Sequence, residues 1–100
     1  EYFNIMDIYL DTTLYPSIDK FAFLQEGWRY DLKNINDKIK IKGIVYNEMK
    51  GVYSDPTSQA WNILFKNLMP DSTYSHDSGG NPKDIPNLTW NDLKIFHKQF

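Results

Sequence analysis

The sequence has 100 residues, 41% of them hydrophobic and 16% aromatic, with a formal net charge of −2 at pH 7 and no cysteine. This hydrophobic content excludes a disordered tail, and the slightly acidic balance argues against a nucleic-acid-binding protein, which needs a basic face. The lack of cysteine excludes a disulfide scaffold and a thiolate zinc site, and no apolar run reaches the ~20 residues of a membrane span. Surface scaling predicts one compact domain that buries roughly 65% of its unfolded surface, or one piece of a larger domain.

The first half of the sequence predicts a helix followed by an antiparallel hairpin. Residues 1–15 carry apolar side chains at three- and four-residue steps, which is typical of an amphipathic helix, and Pro16 ends it. Residues 17–27 are expected to form a connection. Strict alternation over 28–32 and again over 38–42 then predicts two half-buried strands joined by a polar turn.

The second half predicts three helices and one long loop. Helical spacing of apolar residues predicts helices over 44–53 and 56–69, with Asp55 as the N-cap of the second. Residues 71–88 have the composition of a loop, and its length indicates that it is functional or packs against something outside this sequence. A capping box with Asp in place of Glu, at 89–92, opens the last helix. The predicted fold class is α+β, with helices packed on a small antiparallel sheet.

Glu48 breaks the pattern of the predicted helix over 44–53. It lies on the apolar stripe between Ile44 and Val52, where an ionised carboxylate is costly to bury. Such a group is paired, protonated or bound to a metal. Two structural explanations therefore stand beside a functional one: an ion pair with a neighbouring Lys or Arg, or a helix edge that reaches water.

Other polar residues point less clearly to chemistry. His76 and His97 lie in no paired-ligand spacing, so we expect them at the surface or as satisfied core residues. A hydrolase site built on His76 and Asp77 is not supported, because no nucleophile-elbow motif is present. The Ser-Gly-Gly sequence at 78–80 is expected to form a tight turn, since no lysine follows at P-loop spacing.

The segment GIVYNEMKG at 43–51 resembles a block of the pitrilysin-type zinc metallopeptidases (the inverzincins), in the branch of presequence protease and falcilysin. Further blocks resemble the same branch in order along the chain: FNIMDIYLD at 3–11, QEGW at 25–28, SDP at 54–56, DSGGNPKDIPNLT at 77–89 and FHKQF at 96–100. Several co-linear blocks are far more specific than one motif. The resemblance implies that residues 1–100 are an internal segment of the N-terminal catalytic domain of such a peptidase.

Members of this family bind zinc through an inverted His-x-x-Glu-His motif and a downstream Glu. The resemblance places that downstream ligand at Glu48. No His-x-x-Glu-His occurs in this sequence, and in the family it lies upstream. The resemblance thus implies one zinc ligand and no catalytic base within these residues, and we expect the 100 residues alone to hold no catalytic zinc and to cleave no peptide.

For the longer protein, the resemblance implies a zinc metalloendopeptidase that degrades short unstructured peptides such as organelle presequences and transit peptides. Its implied partners are these peptide substrates and the remaining parts of the same peptidase, without nucleic acid or a membrane span. An organellar location (mitochondrion, plastid, apicoplast-like organelle or food vacuole) follows from the family only. The alternative is a non-catalytic pitrilysin-like chamber subunit or a small α+β interaction module, and the upstream sequence would distinguish them.

Overall fold

The computed structural model describes residues 1–100 as an α+β chain in which five helices accompany one two-stranded antiparallel sheet. A π-helix continues the second helix, and two 3-10 turns interrupt the long loop. The elements are α1 Tyr2–Leu14, α2 Lys20–Ala22 with the π-helix Phe23–Gly27, β1 Arg29–Asp31, β2 Lys40–Lys42, α3 Ile44–Val52, α4 Pro56–Leu68, the 3-10 turns Thr73–Ser75 and Ile85–Asn87, and α5 Trp90–Gln99.

The segment expected to be a plain connection over 17–27 is largely helical, so that prediction is wrong. The Asp19 side chain accepts a hydrogen bond from the Ala22 backbone N–H at 2.8 Å and caps α2. The π-helix then follows without a break. A single turn followed by a π-turn is too short to show a helical period in the sequence, which is why the pattern missed it.

The predicted hairpin is confirmed, with shorter strands than expected. β1 and β2 pair antiparallel with Tyr30 opposite Ile41. A diagonal ion pair joins Lys42 Nζ to Asp31 Oδ2 at 2.7 Å across the hairpin. It lowers the pKa of Asp31, chiefly through the hydrogen bond from Lys42.

The predicted N-termini of two helices in the second half of the chain, α4 and α5, are confirmed by their capping hydrogen bonds. Asp55 Oδ2 accepts the Ser58 N–H at 2.7 Å, and Pro56 occupies the first turn of α4. At α5 the capping box is complete: Thr89 Oγ1 accepts the Asp92 N–H, and Asp92 Oδ2 accepts the Thr89 N–H. Caps are local, so the sequence is sufficient to predict them.

Two tryptophans fasten the C-terminal part of the chain to the helical connection. Trp28 Nε1 donates to the Leu88 carbonyl at 2.8 Å, and Trp90 Nε1 donates to the Ile18 carbonyl at 2.9 Å. These bonds join residues that are 60 and 72 positions apart. They hold the end of the 71–88 loop against the segment that precedes β1.

The expected degree of burial is wrong for this chain. Its accessible surface is 8704 Å², against about 5900 Å² for a compact domain and about 17,000 Å² for an unfolded chain of this mass, so about half of the surface is buried rather than 65%. The radius of gyration is 17.2 Å, where about 13 Å is typical of 100 residues. Only Gly43 and Ile85 are buried, and Ile85 still exposes 7% of its surface.

The surface that was expected to be buried, and is instead exposed, lies on the helices. The apolar faces expected to point inward are exposed on α1, α4 and α5, with Phe3 71%, Trp61 53% and Phe96 62% exposed. Helices with so much exposed apolar surface are usually covered by other polypeptide. No helix in the structure combines the length and apolarity that crossing a bilayer requires.

Candidate functional site

Glu48 lies in the middle of α3, on its exposed side. The neighbours that defined the apolar stripe are exposed as well, with Ile44 53% and Val52 38% exposed. The only ion pair of the chain is the one in the hairpin, so Glu48 has no Lys or Arg partner. The expectation of a carboxylate on an inward stripe is therefore wrong within these residues, and Glu48 reaches water. An exposed carboxylate without a partner is available to bind a cation.

The side of α3 that packs inward is carried by Tyr46 and Met49, together with Tyr53 directly after the helix. These side chains are half-buried, and their spacing of three and four residues places them on one face. Glu48 lies about 100° away from Met49 around the helix, because each residue advances by that angle. The sequence pattern predicts that the most apolar stripe of the helix is buried. In the structure, the packed stripe instead carries two tyrosines and a methionine.

The start of α3 is fixed by a close approach of two backbone segments. Gly43 precedes the helix and packs against the end of the π-helix. A Cβ at Gly43 would lie 2.6 Å from the carbonyl carbon of Gly27 and 2.8 Å from Trp28 Cα. Any side chain here would push the backbones apart, so only glycine permits this contact.

The end of α3 is joined to the loop over 77–80. Gly79 lies against Met49: an added Cβ would meet Met49 Cε at 3.1 Å and the Met49 sulfur more closely still. The predicted tight turn at 78–80 is confirmed, and Gly80 completes it with φ 83°, a left-handed conformation that favours glycine. The loop thus presses its backbone onto the residue next to Glu48.

Asp77 connects this loop to two helices through three hydrogen bonds. Its carboxylate accepts from the Tyr53 hydroxyl at the end of α3, from Asn62 Nδ2 of α4 at 3.3 Å, and from the Gly79 N–H at 3.0 Å. The bond from Tyr53 is the main reason that the pKa of Asp77 lies below its usual value. The same bond raises the pKa of Tyr53 to about 12. We call Tyr53, Asn62 and Asp77 the Asp77 anchor.

Sequence reasoning missed the Asp77 anchor. The sequence offers Asp77 as a member of the family-like block at 77–89 and as an unsupported hydrolase partner of His76, and the structure places His76 at the surface. The available signal was the sequence Asp-Ser-Gly, because an Asp side chain commonly accepts a hydrogen bond from the backbone two residues on. Its bond to Tyr53 joins positions 24 residues apart and leaves no local pattern.

No group of three or more His, Asp and Glu side chains in the chain is placed to hold a metal ion. His76 and His97 are both at the surface, which was one of the two positions expected for them. Catalytic zinc sites use three protein ligands. Glu48 therefore fits one position of such a site by its chemistry and exposure, while residues 1–100 do not form the site by themselves.

A cleft of about 550 Å³ lies beside the packed face of α3. Half of its lining residues are apolar, and the 78–80 turn borders one side of it. The apolar residues that line it include Ile18, Phe23, Trp28, Val45, Ile85 and Leu88.

Comparisons with known proteins identify relatives over the whole chain. It is 47% identical over 102 residues to Presequence protease 1, chloroplastic/mitochondrial, of Arabidopsis thaliana, and 50% identical over 100 residues to Presequence protease, mitochondrial, of Drosophila melanogaster. It is also 46% identical over 102 residues to Protein HypA of Clostridium perfringens. No family model matches the chain.

These alignments cover 97–100% of this chain and 9–10% of each relative. The chain thus spans about a tenth of the length of the relatives that it matches. The resemblance drawn from its sequence blocks is confirmed by the names and the extent of these matches. The chain is similar over almost its whole length to one segment of proteins named presequence protease.

Proposed function

We propose that this chain is a segment of the N-terminal catalytic domain of a longer zinc metalloendopeptidase of the pitrilysin type. The longer protein would degrade short unstructured peptides such as presequences and transit peptides. The observation that carries the proposal is 43–50% identity, over almost the whole chain, to several proteins named presequence protease. Their names are mitochondrial or chloroplastic, which supports a location in such an organelle.

Within this proposal Glu48 is the third protein ligand of the zinc. Its carboxylate has the right chemistry, because zinc accepts Asp and Glu oxygens at about 2.0–2.2 Å. It is exposed and unpaired on α3, and α3 is fixed at both ends. The other ligands and the base would come from outside residues 1–100. When bound, the metal supplies a Lewis acid that activates water for attack on a peptide carbonyl.

The exposed apolar faces of α1, α4 and α5 fit the same proposal. A chain that leaves Phe3, Trp61 and Phe96 exposed has more apolar surface than a self-contained domain of its size. We assign these faces to contacts with the remaining parts of the same peptidase. The Asp77 anchor and the two tryptophan bonds then keep the segment in shape where those parts meet it.

The test uses the full-length protein and a synthetic presequence peptide. We expect cleavage that a zinc chelator abolishes, and a Glu48→Gln variant that has lost most of its zinc and its activity. Glu1→Gln is the matched control, because Glu1 is an exposed glutamate outside α3, and it should retain both. Near-normal zinc content and activity in Glu48→Gln would refute the ligand role.

The same preparation separates the peptidase from the alternative class. A full-length protein that lacks His-x-x-Glu-His and cleaves no peptide would be the non-catalytic chamber subunit. A full-length mass close to the 11.8 kDa of this chain would indicate the small interaction module.

A further inference from the structure

We propose that Tyr53, Asp77 and Gly79 are positioning residues, which hold α3 against the 77–80 loop and thereby set the direction of the Glu48 carboxylate. The inference deepens the proposed function and rests on the ligand role of Glu48. It assigns a purpose to a polar network that lies outside the residues able to touch zinc.

Tyr53 and Met49 tie the C-terminal half of α3 to the loop at two positions one turn apart. Tyr53 is the C-cap residue of α3, and its hydroxyl donates to Asp77. One turn earlier, Met49 lies against the backbone of Gly79. Two contacts one turn apart on the same face resist rotation of the helix, whereas one contact would act as a hinge.

The opposite end of α3 is held by backbone rather than side chains. Gly43 is one of the two buried residues of the chain and packs on Gly27 and Trp28. Other helices of the chain leave broad apolar faces exposed, with Phe3 of α1 71% exposed. The helix that carries Glu48 is thus held at both ends by specific contacts.

The precision that a metal ligand needs explains why such anchoring matters. Side-chain ends lie about 5–6 Å from a helix axis, so a rotation of about 20° moves them by about 2 Å. Metal–ligand distances are held to within about 0.2 Å. A small rotation of α3 therefore exceeds the tolerance of a zinc site tenfold. Rotamer changes of Glu48 can compensate only in part, because each rotamer is a discrete direction.

The Asp77 anchor is suited to resist this rotation. Asp77 also accepts from Asn62 on α4 and from the Gly79 N–H, so three parts of the chain meet at one carboxylate. A charged acceptor makes each of these bonds stronger than a bond between neutral groups. Removing the Tyr53 hydroxyl leaves the carboxylate bound to the loop and to α4, but removes its bond to the end of α3.

The experiment measures zinc affinity of the full-length protein by competition with a chelating dye. We expect Tyr53→Phe and Asp77→Asn each to weaken zinc binding by about tenfold, the lower end of the range for residues that orient metal ligands. The matched controls are Tyr74→Phe and Asp71→Asn, which change exposed residues of the same loop that make no side-chain hydrogen bond. Both controls should bind zinc as the wild type does.

A Glu48→Gln background separates positioning from general destabilisation. If the anchor acts through Glu48, then Tyr53→Phe weakens zinc binding no further once Glu48 is replaced. An equal weakening in both backgrounds would overturn the inference, as would wild-type zinc affinity in both Tyr53→Phe and Asp77→Asn. If Asp77→Asn fails to fold, Tyr53→Phe decides alone.

These outcomes also separate the two proposals. Wild-type zinc affinity in Glu48→Gln refutes the ligand role and the positioning role together. Weak zinc binding in Glu48→Gln beside normal binding in Tyr53→Phe and Asp77→Asn refutes only the positioning role.

Discussion

Adding one methyl group at Gly79 tests the contact between the loop and α3. The new Cβ would lie 3.1 Å from Met49 Cε and nearer to its sulfur, so the methionine or the loop must move. Gly79 has no positive φ, so the backbone itself accepts alanine and the effect is purely steric. Overpacking costs about 1–3 kcal/mol, and the flexible methionine should relieve part of it. We therefore expect Gly79→Ala to lower the free energy of local opening by about 1–2 kcal/mol, which raises the opening equilibrium constant by a factor of about 5–30.

Amide hydrogen exchange of the full-length protein measures this effect locally. In Gly79→Ala, the peptide that spans α3 should exchange about 5–30 times faster than in the wild type, because local opening is easier by that factor. The matched control is Gly51→Ala, also in α3, where an added Cβ meets nothing within 4 Å. It should not accelerate exchange, since alanine favours the helix over glycine by about 1 kcal/mol.

A double variant identifies the partner. In a Met49→Ala background the methyl group at Gly79 has room, so Gly79→Ala should then have little effect. Unchanged exchange in Gly79→Ala would refute the proposed contact. Fully additive effects of the two changes would show that Gly79 acts through some other neighbour.

Three further predictions follow from the same geometry. Gly43→Ala should destabilise α3 by about 1–3 kcal/mol or more in local hydrogen exchange, because its Cβ meets backbone, which cannot rotate away; exchange at the wild-type rate would contradict this. The Tyr53–Asp77 bond raises the pKa of Tyr53 to about 12, so its stabilising effect is complete below the ordinary tyrosine value of about 10 and is lost as the pH rises toward the raised value. Asp77→Asn should return the pKa of Tyr53 toward about 10 in an absorbance or NMR titration, and an unchanged value would contradict the bond. Finally, the isolated 100-residue chain should show no chelator-sensitive peptide cleavage, and such turnover would contradict the assignment of the other zinc ligands to residues outside it.

The sequence predicts the element types well because their signals are local. Asp55 caps α4, the Thr89–Asp92 pair caps α5, and the alternation in the hairpin reports a period of two, all within a few residues. The sequence pattern does not predict the helical segment over 20–27, because the segment is too short to show a helical period. Local sequence signals therefore predict which elements form and in what order, but they do not predict how those elements pack together.

The candidate site was only partly predictable for the same reason. The proposal of Glu48 as a zinc ligand depends on the family resemblance rather than on the apolar stripe, since the structure exposes that stripe. The bond between Tyr53 and Asp77 spans 24 positions and depends on how the loop folds back over α3. The predicted fraction of buried surface is wrong for a related reason. Apolar residues such as Trp61 indicate that a surface will be covered, but they do not indicate whether this chain or other polypeptide covers it.

The most direct measurement of the central claim is a crystal structure of the full-length protein with zinc, located by anomalous scattering. The account predicts a Glu48 carboxylate oxygen at about 2.0–2.2 Å from the metal, beside two histidines from outside residues 1–100. A zinc ion whose protein ligands are complete without Glu48 would contradict it.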